Sequence, residues 1–149
     1  MRRAFGVAVV VVLLALQPVA ASASRLGTAQ FDRGLFALTN DARAKNNRAA
    51  LKAGACFDRY AQRQAQRMAA RRAMYHQNLR VVLRACKARS VAENVAEGFG
   101  SPGPNVTAWL RSPGHRKNLL NAKYTRLGIG VAYDRRGRAY TVQVFGRPR

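Results

Sequence analysis

Apolar residues recur at helical steps through the first half of the chain and alternate near its end. Phe31, Leu35, Leu38 and Ala42 lie three or four apart, which predicts a helix over about Ala29–Asn46. Thr28 is its expected cap, and Asn46 and Asn47 suit its end. A second helix is predicted from about Cys56 to Met74, burying Phe57, Tyr60, Ala61, Ala65, Met68 and Ala69. Its opposite face carries Arg59, Arg63, Arg67 and Arg71 four apart, with Arg72 adjacent. Like charges at that spacing weaken an isolated helix by about 0.2–0.5 kcal/mol per pair. Either packing overrides that cost or an anion neutralises the ridge, and a solvated face is the plainer reading.

Gln77–Lys87 mixes Leu79, Val81, Val82 and Leu83 with arginines, which fits a short helix or a loop held at Cys86. Ser90–Glu97 is expected to be a short strand, and Gly98–Pro104 a turn-rich connection. A helix over about Asn105–Arg111 follows, with Asn105 as its cap. Pro113-Gly114 interrupts it before another helical turn or two over His115–Asn121. Near the end, Leu127, Ile129 and Val131 alternate with Gly128, Gly130 and Ala132. After a turn at Asp134–Arg138, Tyr140, Val142 and Val144 alternate with Thr141, Gln143 and Phe145. This is a β-hairpin whose first strand is bare on its glycine side, open to close approach by another element. Helices first and strands last, without internal repeats, predict one α+β domain.

Composition changes the picture at the start of the chain. Arg2 and Arg3 precede an apolar run over Ala8–Leu16, and Ala21-Ser22-Ala23 has the small-x-small form of a cleavage site. Residues 1–23 therefore read as a secretory signal and 24–149 as the mature domain. Losing Arg2 and Arg3 lowers the formal charge of +21 by two, and all 6 acids remain. Such an excess favours anionic surroundings, an envelope polymer or lipid head groups, and export argues against nucleic acid. The two cysteines, Cys56 and Cys86, are expected to form one disulfide in an exported chain.

Groups able to move protons or bind metal are scarce: His76, His115, Glu93 and Glu97 are all of the histidines and glutamates. Two imidazoles and a carboxylate drawn from these four would form a chemically sensible set for zinc or another divalent ion. Metal-bound hydroxide would make a hydrolase, and a bare His–Glu pair could shuttle protons. Structural duty is the competing reading, in which Glu93 accepts backbone N–H groups and His115 anchors a turn. Glu97 is expected to be solvated or arginine-paired, and Trp109 to be core with an acceptor for its indole N–H.

The motifs resemble the CAP superfamily, the SCP domains of cysteine-rich secretory proteins, antigen-5 allergens and pathogenesis-related proteins, in its bacterial form. The resemblance is carried by Leu38-Thr39-Asn40-Asp41-Ala42-Arg43, by Tyr60-Ala61 through Met68-Ala69 with His76, and by Ala92-Glu93-Asn94-Val95-Ala96. Trp109 followed by Ser112-Pro113-Gly114-His115-Arg116-Lys117-Asn118-Leu119-Leu120 is its most specific segment, and Leu127–Val131 and Gln143–Gly146 resemble the closing strands. It implies a three-layer α-β-α sandwich with a small, mainly antiparallel sheet, and a cleft lined by His76, Glu93 and His115, the three candidate metal ligands, with Asn94 and Ser112 beside them. Eukaryotic members often carry a second cleft glutamate where this chain has Ser112, and the family's glycine before the Glu-Asn pair is Ala92 here.

The resemblance favours a secreted binding protein for a lipid-like, sterol-like or envelope ligand. The alternatives are an extracellular hydrolase, metal-dependent or protease-like, and a cationic antimicrobial protein acting by charge.

Overall fold

A computed structural model describes residues 26–149. The expected leader, residues 1–23, lies outside the described residues. The described elements are α1 (Thr28–Lys45), β1 (Lys52–Ala53), α2 (Ala55–Arg71), α3 (Leu79–Ala85), β2 (Ala88–Glu97), α4 (Pro102–Arg111), α5 (Pro113–Leu119), β3 (Arg126–Tyr133) and β4 (Ala139–Pro148). No described helix is long and apolar enough to cross a membrane.

The strands form one sheet in the order β1-β3-β4-β2. β3 and β4 are the expected hairpin, β2 runs antiparallel to β4, and only β1 is parallel to its neighbour. α2 and α3 cover one face; α1, α4 and α5 cover the other. This is the expected three-layer α+β sandwich. β4 is central, so both of its faces are buried, and its neighbouring residues Val144 and Phe145 belong to different cores.

The glycines of β3 set the depth of one layer. A Cβ added at Gly128 would lie 2.2 Å from the Phe57 carbonyl carbon, and one at Gly130 2.2 Å from the Ala61 carbonyl oxygen. The α2 backbone therefore rests directly on the strand. Asp58 and Gln62 face the same seam: Asp58 Oδ1 accepts from the Ile129 N–H at 3.1 Å, and Gln62 bridges to both the N–H and the carbonyl of Val131. Cys56 and Cys86 form the expected disulfide, tying the start of α2 to the end of α3 across 30 positions. Closing a loop of that length contributes about 3–4 kcal/mol in the chain-entropy model.

Several boundaries differ from the sequence expectation. The cap of α1 is Gly27, and Thr28 is already helical. α4 begins at Pro102, so Asn105 is no cap; it is fully buried, and its Oδ1 accepts from Thr141 Oγ1 at 2.7 Å. Prolines fit a first helical turn because the N–H they lack has no partner there, and so Pro102 and Pro104 start the helix where they had suggested a loop. α2 stops at Arg71 because Arg72 takes a left-handed conformation, φ 53. The chain then doubles back, with Tyr75 under the Arg71 guanidinium and its carbonyl held by Gln64. The open choice for Gln77–Lys87 resolves as the short helix α3, capped by the Asn78 side chain. β1 is too short to leave a periodic signal.

The glycine seam predicts a contrast. Gly130→Ala should cost about 3 kcal/mol or more, because the new methyl meets main chain that cannot move aside. Gly114→Ala, where nothing lies within 4 Å, should be neutral or slightly stabilising. Denaturant midpoints of the two variants check this, and a Gly130→Ala protein as stable as the parent would refute the seam.

Candidate functional site

β2 is an outer strand of the sheet, and the candidate site is built around it. Successive side chains of a strand point to opposite faces. Glu93 therefore faces the α2–α3 layer, and Asn94 the layer of α1, α4 and α5.

On the first face, the Glu93 carboxylate is fully buried while His76 is 58% exposed. Glu93 Oε1 accepts from His76 Nδ1 at 2.8 Å and from the Gln77 N–H at 3.1 Å. Oε2 accepts from Gln77 Nε2 at 2.6 Å. Both oxygens are thus occupied by the segment between α2 and α3, and Glu93 fastens that segment to the sheet.

On the second face, Asn94 lies in a buried chain of amides. Its Nδ2 donates to Gln143 Oε1 at 3.0 Å and to the His115 carbonyl at 3.1 Å. Asn118 Nδ2 donates to Asn94 Oδ1 at 3.0 Å. Gln143 Nε2 donates to Thr39 Oγ1 at 2.6 Å, and Thr39 donates in turn to the Leu35 carbonyl. Arg43, 1% exposed, donates to the carbonyls of Ala49, Leu119 and Asn121. Together these side chains hold α5 against α1 and β2, and so fix where His115 stands.

The outward edge of β2 is closed by side chains. Trp109 Nε1 donates to the Val95 carbonyl at 3.2 Å, and Asn118 Nδ2 to the Glu93 carbonyl at 3.2 Å. Trp109 is core, with the acceptor its indole was expected to need.

Against this edge lies a cavity of about 280 Å³, lined by Met74, Val95, Ala96, Glu97, Phe99, Ala108, Trp109, Ser112 and His115. Its walls are mostly apolar. The His115 ring forms no hydrogen bond within the described residues, and burial and the charge of His76 push its pKa below the ordinary value. Ser112 ends α4 and caps α5 through its backbone. Glu97 is paired with Arg138 at 3.0 Å on the exposed side, one of the two roles expected of it.

The five expected site residues thus divide. Ser112 and His115 share the cavity. His76 and Glu93 form a hydrogen-bonded pair on the other face of β2. Asn94 is wholly enclosed with its amide fully bonded, so it positions α5 and is closed to a ligand, correcting the expectation that it lines the cleft. Among the described residues no three of His, Cys, Asp or Glu are grouped to hold a metal ion, so His76, Glu93 and His115 do not fit the expected zinc site. The Glu93 oxygens face His76 and Gln77, and Ser112 supplies no carboxylate in its place. Sequence reading missed Thr39, Arg43, Asn118 and Gln143, although all four sit inside the motifs quoted above, and Gln143 is a polar residue of a central strand.

The model of the CAP family, the cysteine-rich secretory protein family, matches residues 36–145. The chain belongs to this family. Among curated relatives of this CAP domain, protein YkwD of Bacillus subtilis is 41% identical over 59 residues, covering 40% of this chain and 22% of that protein. The alignment thus spans about a fifth of that relative's length. An SCP-domain extracellular protein from Bacillus anthracis has a similar structure, TM-score 0.70 at 28% identity, over 80% of this chain and 42% of that one. An outer surface protein of Borrelia burgdorferi shares the fold, TM-score 0.76 at 20% identity, over 85% of this chain and 98% of that one.

Two outcomes follow. Asn94→Ala strands partners on Gln143, Asn118 and the His115 carbonyl, and should cost roughly 3 kcal/mol. Asn118→Ala, at a half-buried position that water can reach, should cost less, and thermal unfolding ranks the two. For His115 the folded protein resists a proton that the unfolded chain accepts at 6.5. Its contribution is therefore present above 6.5 and is lost as pH falls from 6.5 through the lower folded value. The opposite slope comes from Asp32, which burial and Asp58 raise to about 6. Subtracting the His115→Gln curve cancels Asp32, and the difference should fall as pH drops from 7 to 5, by an amount that solvent screening keeps small. A flat difference would contradict the assignment.

Proposed function

We propose that this CAP domain is an exported binding module that holds the apolar part of a small amphipathic ligand, lipid-like or sterol-like, in the cavity between Trp109 and Met74. One observation carries the reading: a largely apolar cavity whose polar end is an unbonded imidazole. Ligand sites are commonly apolar with a few placed polar groups. At about 280 Å³ the space suits one acyl segment or ring system, with the head group left outside. His115 and Ser112 would meet a hydroxyl or carboxyl at the rim. Met74, 51% exposed, gives the entrance an apolar lip.

Export is supported by the leader-like residues 1–23 and by the disulfide. It also agrees with the outer-surface and extracellular descriptions of the two structural neighbours. The hydrolase reading draws no support from the geometry, because the Ser112 hydroxyl has no hydrogen bond to His115 and Glu93 is occupied elsewhere.

The test is equilibrium binding of a fluorescent fatty acid and a fluorescent sterol to the purified protein. Wild type should bind at least one with unit stoichiometry and no turnover. Ala108→Phe fills the cavity and should weaken binding roughly tenfold or more, by steric exclusion of apolar contact. Equal binding by wild type and Ala108→Phe, or no binding by wild type, defeats the proposal.

A further inference from the structure

A second concave surface lies at the C-terminal end of β2, where the β3–β4 turn meets the end of α2, and it shares Glu97 and Phe99 with the apolar cavity. Two hollows, of about 660 Å³ and about 560 Å³, share Arg72, Tyr133 and Asp134 on a common rim. They form one trough running from α2 to the loop after β2. Arg135 lines one hollow, and Arg136 and Arg138 the other.

The charges in this trough are unequally neutralised. Glu97 is held by Arg138. Asp134 Oδ1 accepts from the Arg136 and Arg138 N–H groups, which lowers the carboxyl below its ordinary value. Glu97 is thus paired, while the Asp134 charge also attracts Arg138 and Arg72, leaving Arg135 and Arg136 the least neutralised. Arg72, Arg135 and Arg136 are exposed and make no ion pair within 4.0 Å among the described residues. Arg72 is placed there at a cost. It adopts φ 53, a left-handed conformation that normally selects glycine at a helix end and disfavours a residue with a Cβ by about 1 kcal/mol. The last carbonyls of α2 accept from the N–H groups of Arg72 and Ala73, which moderates their repulsion of an anion.

We infer that this trough binds a linear phosphodiester polymer, with Arg72, Arg135 and Arg136 reaching successive phosphates. Its concave shape seats a chain and excludes a flat bilayer, and the exposed large apolar residues, Met74 and Val81, are not among its lining. Guanidinium groups arriving from two walls suit a tetrahedral phosphate, whose oxygens face several directions, better than a planar carboxylate that is satisfied by one fork. The trough adjoins the apolar cavity through Glu97 and Phe99, but Arg72, Arg135 and Arg136 line only the trough.

The experiment measures binding of poly(glycerol phosphate) to the full chain at about 0.1 M salt, near the ionic strength at which distant charges are screened. Three proteins are compared: wild type, Arg72→Gln/Arg135→Gln/Arg136→Gln, and a control of equal charge loss, Arg59→Gln/Arg63→Gln/Arg80→Gln. The trough variant should lose roughly tenfold in affinity, the product of three exposed charge contacts of ordinary strength, and the control less than threefold. Arg135→Gln alone, in an exposed turn, should lose about twofold and covers the case in which the triple variant misfolds. Equal losses in the two triple variants would reduce the interaction to net charge and overturn the inference. No binding by wild type overturns it as well. So does equally tight, equally Arg72-dependent binding of hyaluronan or of phosphatidylglycerol vesicles, which would assign the trough to carboxylates or to a membrane.

Discussion

The arrangement around β2 depends on a buried chain of amides. Asn94 and Gln143 sit in the interior with no access to water, so each polar atom there must find a protein partner or destabilise the fold. Between them they bond Thr39 of α1, Asn118 of α5 and the His115 carbonyl. An apolar pair would fill the same space but would tolerate small sliding of α5, since packing is not directional. Amides fix distance and angle together. Arg43 adds a second clamp on the far end of α5, at the Leu119 and Asn121 carbonyls. A two-turn helix too short to persist alone is thereby held at both ends.

That constraint explains why His76 and His115 end up in different surroundings although both flank the same strand. Alternation along β2 sends Glu93 one way and Asn94 the other. The carboxylate therefore goes to His76 and Gln77, and His115 is left with the apolar walls of α4 and β2. Proximity remains, since the charge of His76 still acts on His115. The two rings are coupled through space and not through a shared ligand set.

Much of this was legible in the sequence, and the reasons differ by element. The β3–β4 hairpin was written in strict alternation, and its glycines announced the close approach of another element, which the structure shows to be α2. The disulfide followed from cysteine parity and compartment. The layers and the site segments came from motif resemblance. The pairing of Glu93 with Gln77, which sets its availability, was not readable, because it depends on how Arg72 turns the chain after α2. Helix starts at Gly27 and Ser101 were missed because prolines and a backbone-only cap leave little side-chain signature. The polar interior was missed for a more general reason: Asn and Gln are ordinarily surface residues, and only topology reveals that β4 is covered on both sides.

The side chains that close β2 have a further consequence for how copies of this protein meet. A sheet grows by offering free main-chain donors and acceptors to an incoming strand. At one border the carbonyls of Glu93 and Val95 already accept from Asn118 and Trp109. At the other border β1 spans only Lys52–Ala53, too short to template a partner. The fold thus resists chain-to-chain polymerisation through its sheet, whatever the local concentration of the protein.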